Sequence, residues 1–366
     1  MSVAERLKSH ITNTLEPVRA EIVTGIVGDE PSKYAKTPHL WNAVFRELGW
    51  NAVSLCFDVN PASLESFVKT MRESSEVAGF SVTVPYKITI VPLLDRLDPL
   101  AARIGAVNTV VRERDGALVG FNTDGQGALD ALTRRLPGMD RPFLPSLAGL
   151  NVLMIGAGGG GRGTAFYLAS LLGSHGVLRI VNRSAAKASD LAGAVRSAYG
   201  IGEGGGEERL DDWLESADLV INATVKGQSG WRRAADGAFL VEPYSALGPA
   251  RPALVRADRP LDGAAAREWF QASESDIRGN VDTGLRRVGR LKASAACFDL
   301  VYSPLETRFL VDARVAGHRT LNGKWMNVGQ AADAFVRRVL GQTMASKGLS
   351  GDAGYDRVFE IMVRVW

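Results

Sequence analysis

Two hydrophobic periods alternate along the chain. The apolar run EIVTGIVG, from Glu21, reads as a buried strand, with Gly25 and Gly28 permitting tight backbone turns after it. HLWNAVFRELG follows at helical spacing and closes on Gly49, a good left-handed helix stop. NAVSLCFDV is a second strand and PASLESFVKTMRES a second helix. SVTV, rich in β-branched residues, predicts a short strand that Pro85 ends, because proline cannot donate to a ladder. GALVGFNTDG predicts another strand running into a turn with Asp124 at its tip, and ALDALTRRL a helix after it. Strand, helix, strand, helix, strand argues for an α/β layer built on a mainly parallel sheet.

The second half repeats the alternation. Residues 137–149 are proline-rich and predict a surface loop. NVLMI then runs into GAGGGGRG, with helix TAFYLASLL and strand VLRIVN behind it. GIGEGGGEE predicts a flexible loop, and ADLVINATVKG a further strand. Residues 229–290 mix proline, glycine and charge (GPARPALVRADRPLDG), which predicts an insertion serving as a lid, an oligomer contact or an inert excursion. The alanine-rich stretch NGKWMNVGQAADAFVRRVLG predicts a helix returning to the first domain, and the tail to Trp366 another. Ser2 to Arg19 has helical composition and predicts an amphipathic extension over residues 1–20.

Composition narrows the class. A chain of 366 residues is long enough for about two domains, each with its own core. A net charge of +3, with Lys and Arg scattered, gives no electrostatic argument for nucleic acid. Cys56 and Cys297 are far apart and lack CxxC spacing, which argues against a disulfide scaffold or structural zinc and fits a reducing cytoplasm. His10, His39, His175 and His318 have no metal-ligand spacing. No apolar run reaches membrane-spanning length. The expectation is a cytoplasmic enzyme without a metal, acting on a small molecule.

Two stretches carry candidate chemistry. Lys87 and Asp124 fall at two strand mouths, where an ammonium could give a proton to a carbonyl oxygen while a carboxylate orients it and balances its charge. Each alone has a blander reading, a solvated lysine and an Asx-turn or helix-capping aspartate. Gly156, Gly158 and Gly161 follow a strand and open a helix, so the backbone can approach a pyrophosphate and present free N–H groups to it. At the end of VLRIVN, where an acidic residue would meet the ribose of NAD, the chain has Asn182-Arg183-Ser184 and then Lys187. A cation without a carboxylate suits a 2′-phosphate, which favours NADP over NAD. The alternative is an Arg183 that only faces solvent.

Taken in order, SVTVPYK, IGAVNT, GFNTDG, GAGGGGR, NATVKG, DLVYSPLET and the glycine–glutamine helix resemble the shikimate and quinate dehydrogenase family over about residues 22 to 341. The resemblance implies two α/β domains with an interdomain cleft, the second a Rossmann NAD(P)-binding domain. It places the substrate-binding catalytic domain at 21–126 plus 328–366 and the Rossmann domain at 127–327, with the insertion 229–290. It implies Lys87 and Asp124 as the catalytic pair, and Thr37, Ser81, Thr83, Asn108, Tyr302 and Gln330 as substrate contacts. On the cofactor it implies Gly156, Gly158, Gly159, Gly161, Arg162, Asn182, Arg183, Ser184, Lys187, Asn222, Ala223, Thr224 and Gly323. The activity implied is reversible NADP-dependent hydride transfer to a ring carbon of a cyclic hydroxy acid, 3-dehydroshikimate/shikimate.

The chain departs from the family pattern in places. Ser81 stands where asparagine is usual, Gln228 where methionine is usual, and Ala35-Lys36-Thr37-Pro38 replaces S-x-S-P. One lost hydrogen bond to a charged substrate group is worth roughly 1.5–3 kcal/mol unless replaced, with Lys36 or Tyr34 as candidates to replace it. Quinate, aminoshikimate or another cyclic hydroxy acid therefore stays open as substrate, as does a non-catalytic dinucleotide-sensing regulator. A homodimer is left open too.

Overall fold

The computed structural model describes residues 2–16 and 19–366. The chain divides into two compact units, Met1–Asp130 with Val328–Trp366, and Ala131–Asn327. The first opens with α1 (Val3–Leu7), a single short helix capped by Ser2 and Glu5. The longer helix expected over Ser2 to Arg19 does not form: residues 11–16 and 19–20 are irregular, and Met1, Pro17 and Val18 lie outside the described residues. Asn13 shows why, since its amide exchanges hydrogen bonds with the Asp58 N–H and the Cys56 carbonyl and so ties the segment down as a covering strap.

The core of the first unit follows the predicted alternation: β1 (Ile22–Gly28), α2 (Thr37–Leu48), β2 (Ala52–Asp58), α3 (Leu64–Glu73) and β3 (Gly79–Val82). In α2, Leu40, Trp41, Val44 and Phe45 are buried on one face, and Gly49 ends the helix at φ 66°. In α3 the spacing Leu64, Phe67, Val68, Met71 does the same. After β4 (Arg96–Leu97) and α4 (Pro99–Ile104) come β5 (Thr109–Arg112), β6 (Leu118–Phe121) and α5 (Asp124–Thr133). The sheet order is β2-β1-β3-β5-β6-β4. It is less parallel than expected, because β5 runs antiparallel to both β3 and β6. A short turn over residues 113–117 joins β5 to β6, and short connections favour antiparallel neighbours, while the longer path from β3 through β4 and α4 brings β5 back alongside β3 in the opposite direction.

The second unit holds β7 (Asn151–Ile155), α6 (Gly159–Leu172), β8 (Val177–Val181), α7 (Ala185–Tyr199), β9 (Glu203–Gly205), α8 (Leu210–Trp213) and β10 (Leu219–Asn222). A hairpin of β11 (Arg232–Ala234) and β12 (Gly237–Phe239) and the 26-residue α9 (Gly263–Val288) follow. Then come β13 (Ala296–Asp299), α10 (Arg308–Val315), β14 (Arg319–Leu321) and the start of α11 (Lys324–Asp333). Six strands in the order β14-β13-β10-β7-β8-β9 pair parallel throughout. This is the doubly wound dinucleotide-binding order, with its switch point between β7 and β10. The stretch expected as a flexible loop at GIGEGGGEE is instead edge strand β9. Its glycines serve packing, since a Cβ on Gly204 would fall 2.4 Å from the Ala188 carbonyl of α7. The insertion is also more ordered than its composition suggested: Trp269, Tyr244, Val241 and Val255 form a small core of their own.

The chain returns to the first unit through α11, which continues as a π-helical turn over Ala334–Val339, and closes with α12 (Gly341–Ser346) and α13 (Gly351–Val365). Phe335 packs on Trp41 and Phe45 at 5.2 and 5.3 Å between ring centroids. The Trp41 indole donates to the Ala331 carbonyl at 3.2 Å. No helix among the described residues is long and apolar enough to cross a membrane.

Candidate active site

Strand register builds the first cluster. Thr109 of β5 lies opposite Phe121 of β6, and the Asn108 N–H donates to the Phe121 carbonyl at 3.1 Å. That pairing brings Asn108 beside Thr123 and Asp124 at the mouth of β6. On the other side, β3 ends at Val82, and the turn after it, which contains the cis Val84–Pro85 bond, is stitched back by the Val107 N–H to the Lys87 carbonyl at 2.7 Å. The result is a direct contact: Lys87 Nζ donates to Asp124 Oδ2 at 2.6 Å. Side-chain exposure is 19% for the lysine and 4% for the aspartate, so the pair keeps one open side, the ammonium's.

Asp124 is fixed from behind. Its Oδ1 accepts from Asn108 Nδ2 at 2.9 Å, and the same amide nitrogen reaches Thr123 Oγ1 at 3.0 Å and Gln330 Oε1 at 3.3 Å. Asn108 Oδ1 in turn accepts from the Thr123 N–H at 2.8 Å and from the Thr109 hydroxyl at 3.0 Å. A network this buried holds its carboxylate in one orientation. Thr123, which sequence reasoning left without a role, is the hub that also donates to the Gln330 carbonyl at 3.1 Å. Its signal was present, as the middle of the NTDG run.

Among the other candidate substrate positions, Thr83 sits where the loops after β1 and β3 cross. A Cβ on Gly28 would meet the Thr83 methyl at 2.5 Å and the Tyr34 hydroxyl at 3.3 Å, so Gly28 is what lets these loops approach. Ser81 is buried, and its hydroxyl finds no hydrogen-bond partner among the described residues. Thr37 is buried in the first turn of α2, whose N-terminus no side chain caps. Lys36, considered as a replacement for the missing loop hydroxyl, places its ammonium 5.2 Å above the Trp366 ring. Tyr302 belongs to the second unit.

The second cluster surrounds the switch point. Gly156 has φ 116°, and a Cβ there would fall 2.6 Å from the Ala223 carbonyl; at Gly161 it would fall 2.7 Å from the Gly156 carbonyl. These two positions need glycine for close backbone packing. Gly158 precedes α6 in extended conformation with no side-chain cap, leaving the first N–H groups of a 14-residue helix to a ligand or water. Gly159 and Arg162 lie in the first turn of α6. Burial pulls the Arg162 guanidinium below its ordinary value, against the opposing pull of Asp190. Asn182 is held by its own contacts, accepting from the Ala157 N–H at 3.4 Å and donating to the Ser184 carbonyl at 3.2 Å. Arg183, Ser184 and Lys187 are all exposed around the N-terminus of α7. Asn222 is fully buried at the end of β10, with Ala223 and Thr224 half-buried beyond it. Gly323 packs against backbone, since a Cβ there would fall 2.3 Å from the Leu300 carbonyl.

Sequence reasoning gave no role to two further groups. Lys226 is almost enclosed and pairs with Glu207 at 2.7 Å while donating to the Gly248 carbonyl at 2.7 Å; burial lowers its pKa against that pairing. Asp299, fully buried at the end of β13, is pushed up to about 7 by desolvation. No cluster of His, Cys, Asp and Glu suited to a metal ion occurs among the described residues.

Residues 26–110 match the family described as the shikimate dehydrogenase substrate binding domain. The shikimate dehydrogenase (NADP(+)) of Moorella thermoacetica is 34% identical over 328 residues, covering 87% of this chain and 89% of that protein. Two solved structures are similar to the present one at TM-score 0.63 and 25% identity, each covering 94% of this chain and 100% of the other. They are the Thermus thermophilus shikimate 5-dehydrogenase in complex with NADP(H) and shikimate, and the Corynebacterium glutamicum quinate dehydrogenase in complex with NAD.

Proposed function

This chain belongs to the shikimate dehydrogenase family, and from that premise we propose that it is an NADP-dependent oxidoreductase interconverting 3-dehydroshikimate and shikimate. The observation that carries the reading is the contact of Lys87 Nζ with Asp124 Oδ2 at 2.6 Å, backed by Asn108. In reduction, Lys87 gives its proton to the oxygen of the forming alkoxide; in oxidation it takes the hydroxyl proton away. Asp124 keeps the ammonium oriented and balances its charge, and Asn108, itself bonded to Gln330, keeps Asp124 from rotating. Thr37, Ser81 and Thr83, in the same unit as the pair, are proposed to meet the ring hydroxyls and carboxylate.

The dinucleotide fits the second unit. The close-packed Gly156 and Gly161, the uncapped start of α6, and exposed Arg183, Ser184 and Lys187 suit a pyrophosphate and a 2′-phosphate. When bound, the nicotinamide supplies or accepts the hydride. The first unit is accordingly assigned to substrate and the second to cofactor.

The second reading, a related acid such as quinate, is favoured by Ala35, which has no hydroxyl, and by the Ser81 hydroxyl, which has no hydrogen-bond partner among the described residues. Absorbance of the reduced cofactor with shikimate, quinate and amino analogues, each with NADP and NAD, separates these readings. Shikimate with NADP is expected to turn over fastest. Lys87→Ala is expected to lower kcat by about 10²–10⁴-fold with little change in NADP affinity. Near-normal turnover in that variant would remove the assigned role, and binding without turnover on every acid would favour a sensor.

A further inference from the structure

The buried carboxylate at the end of β13 lies outside both clusters, yet it touches the second. Asn222 of β10 and Asp299 of β13 are register partners on neighbouring parallel strands, so the last residues of both strands face each other. Asp299 Oδ1 accepts from Asn222 Nδ2 at 2.9 Å and from the Val301 N–H at 2.8 Å, and Oδ2 accepts from the Thr307 hydroxyl at 2.6 Å. Asn222 passes the constraint on. Its Oδ1 accepts from the Thr224 N–H at 3.0 Å and the Thr224 hydroxyl at 2.7 Å, while its Nδ2 also donates to the Lys226 carbonyl at 3.0 Å. The Thr224 hydroxyl accepts from the Lys226 N–H at 3.0 Å. The carboxylate thus reaches the turn from Asn222 to Lys226 through Asn222, and through Asn222 and Thr224 reaches the Lys226 N–H.

That turn is the wall against which the glycine turn packs. The Ala223 carbonyl is the atom a Cβ on Gly156 would strike, and the Ala223 methyl limits Gly161. At the other end, Gly227 has φ 90° and lies against Thr307, whose Cβ would be 2.9 Å from an added Cβ. A fully desolvated aspartate is costly to keep, and three donors converge on this one, two of them from segments that frame the proposed dinucleotide site.

We propose that Asp299 is a positioning residue for the dinucleotide site, holding the Asn222–Gly227 turn against the glycine turn through Asn222 and Thr307. It does not touch the cofactor itself. The inference rests on the proposed NADP-dependent function and deepens it. Replacing the carboxylate by an amide puts an N–H₂ group among three donors, so the turn must rearrange even though the side chain keeps its size.

The test is equilibrium binding of NADPH, followed by its fluorescence, to the wild type, Asp299→Asn, Thr307→Val and Thr307→Ser, with melting temperature measured on each. Asp299→Asn is expected to raise Kd by about tenfold or more, with KM for NADP rising in step and kcat at saturating NADP falling far less. Thr307→Val, which keeps the shape and loses the donor, is expected to weaken binding in the same direction, and Thr307→Ser to restore it to within about twofold. Unchanged Kd in Asp299→Asn, with only a lower melting temperature, would make the residue a fold-holding one and overturn the proposal. Should that variant fail to fold, an unchanged Kd in Thr307→Val overturns it equally. A wild type that binds no NADPH would instead fail the functional reading beneath it.

Discussion

Asp299 also governs how one residue couples the fold to pH. Its carboxyl is pushed from the ordinary 3.8 up to about 7, chiefly by desolvation. Between those values the folded chain keeps a proton that the unfolded chain has released, so its contribution to stability is complete below about pH 4 and is lost as pH rises through 7. Asp95, Glu76 and Asp211 work in the opposite sense. Hydrogen bonds from the Leu118 N–H to Asp95, from Arg6 and the Val3 N–H to Glu76, and from Arg287 to Asp211 hold their carboxyls below the ordinary range despite some desolvation. Their contributions are present at neutral pH and lost on acidification. Comparing urea unfolding of the wild type with Asp299→Asn cancels those three. The wild type is expected to lose ground against the variant between pH 5 and pH 8, and parallel stability curves would contradict the shift. The neighbourhood of this aspartate was legible as a motif, DLVYSPLET, but its burial was not, because nothing local distinguishes a carboxylate that ends an interior strand from one that ends an edge strand. Lys87, Asn108 and Asp124 were easier to group. They sit in short runs close in sequence, and one hairpin register is enough to join two of them.

Elements with a regular period announced themselves, and those without did not. The apolar face of α3 repeats at 3, 4 and 7 residues, and β1 is a nearly unbroken apolar run, so both stand where the pattern puts them. Edge strand β9 was hidden because Glu203-Gly204-Gly205 carries no hydrophobic signal: Gly204 answers to the backbone of α7 and Gly205 to the side chains of Arg209 and Trp213, a tertiary demand. Helix α9 was hidden differently. Of its seven buried positions, Ala265, Trp269, Ser273, Asn280, Gly284, Arg287 and Val288, five are polar or small, so the inward stripe does not read as apolar. Asn280 bonds the backbone of Ser245 and Pro249, and Arg287 grips Asp211 with two hydrogen bonds and the Leu247 carbonyl with a third. The apolar share falls on Trp269, whose indole donates to the Ala253 carbonyl at 2.9 Å in a core of five buried residues. Trp269→Ala is expected to cost about 3–5 kcal/mol and to act on the insertion first. Hydrogen exchange should accelerate over residues 229–290 while β7 and β8 stay protected; uniform acceleration through the second unit would show the insertion to be integral to it.

At the scale of the whole chain, the proposed division of labour makes ligands act unequally. At a hundred times its Kd, a ligand that binds only the folded state stabilises it by about 2.7 kcal/mol. NADP is expected to slow hydrogen exchange first in Ala131–Asn327, and shikimate first in Met1–Asp130 with Val328–Trp366. The reverse pattern would contradict the assignment of the units. The first unit's split along the chain has a further outcome. Its helix α2 offers Trp41, Val44 and Phe45, and the residues that cover them, Phe335 and the face of α13 with Tyr355 and Ile361, are encoded last. While the polypeptide leaves the ribosome, the continuous second unit can be finished with that apolar face still bare. Premature termination near residue 327 would therefore release a chain with one folded half and one sticky half, a natural client for chaperones.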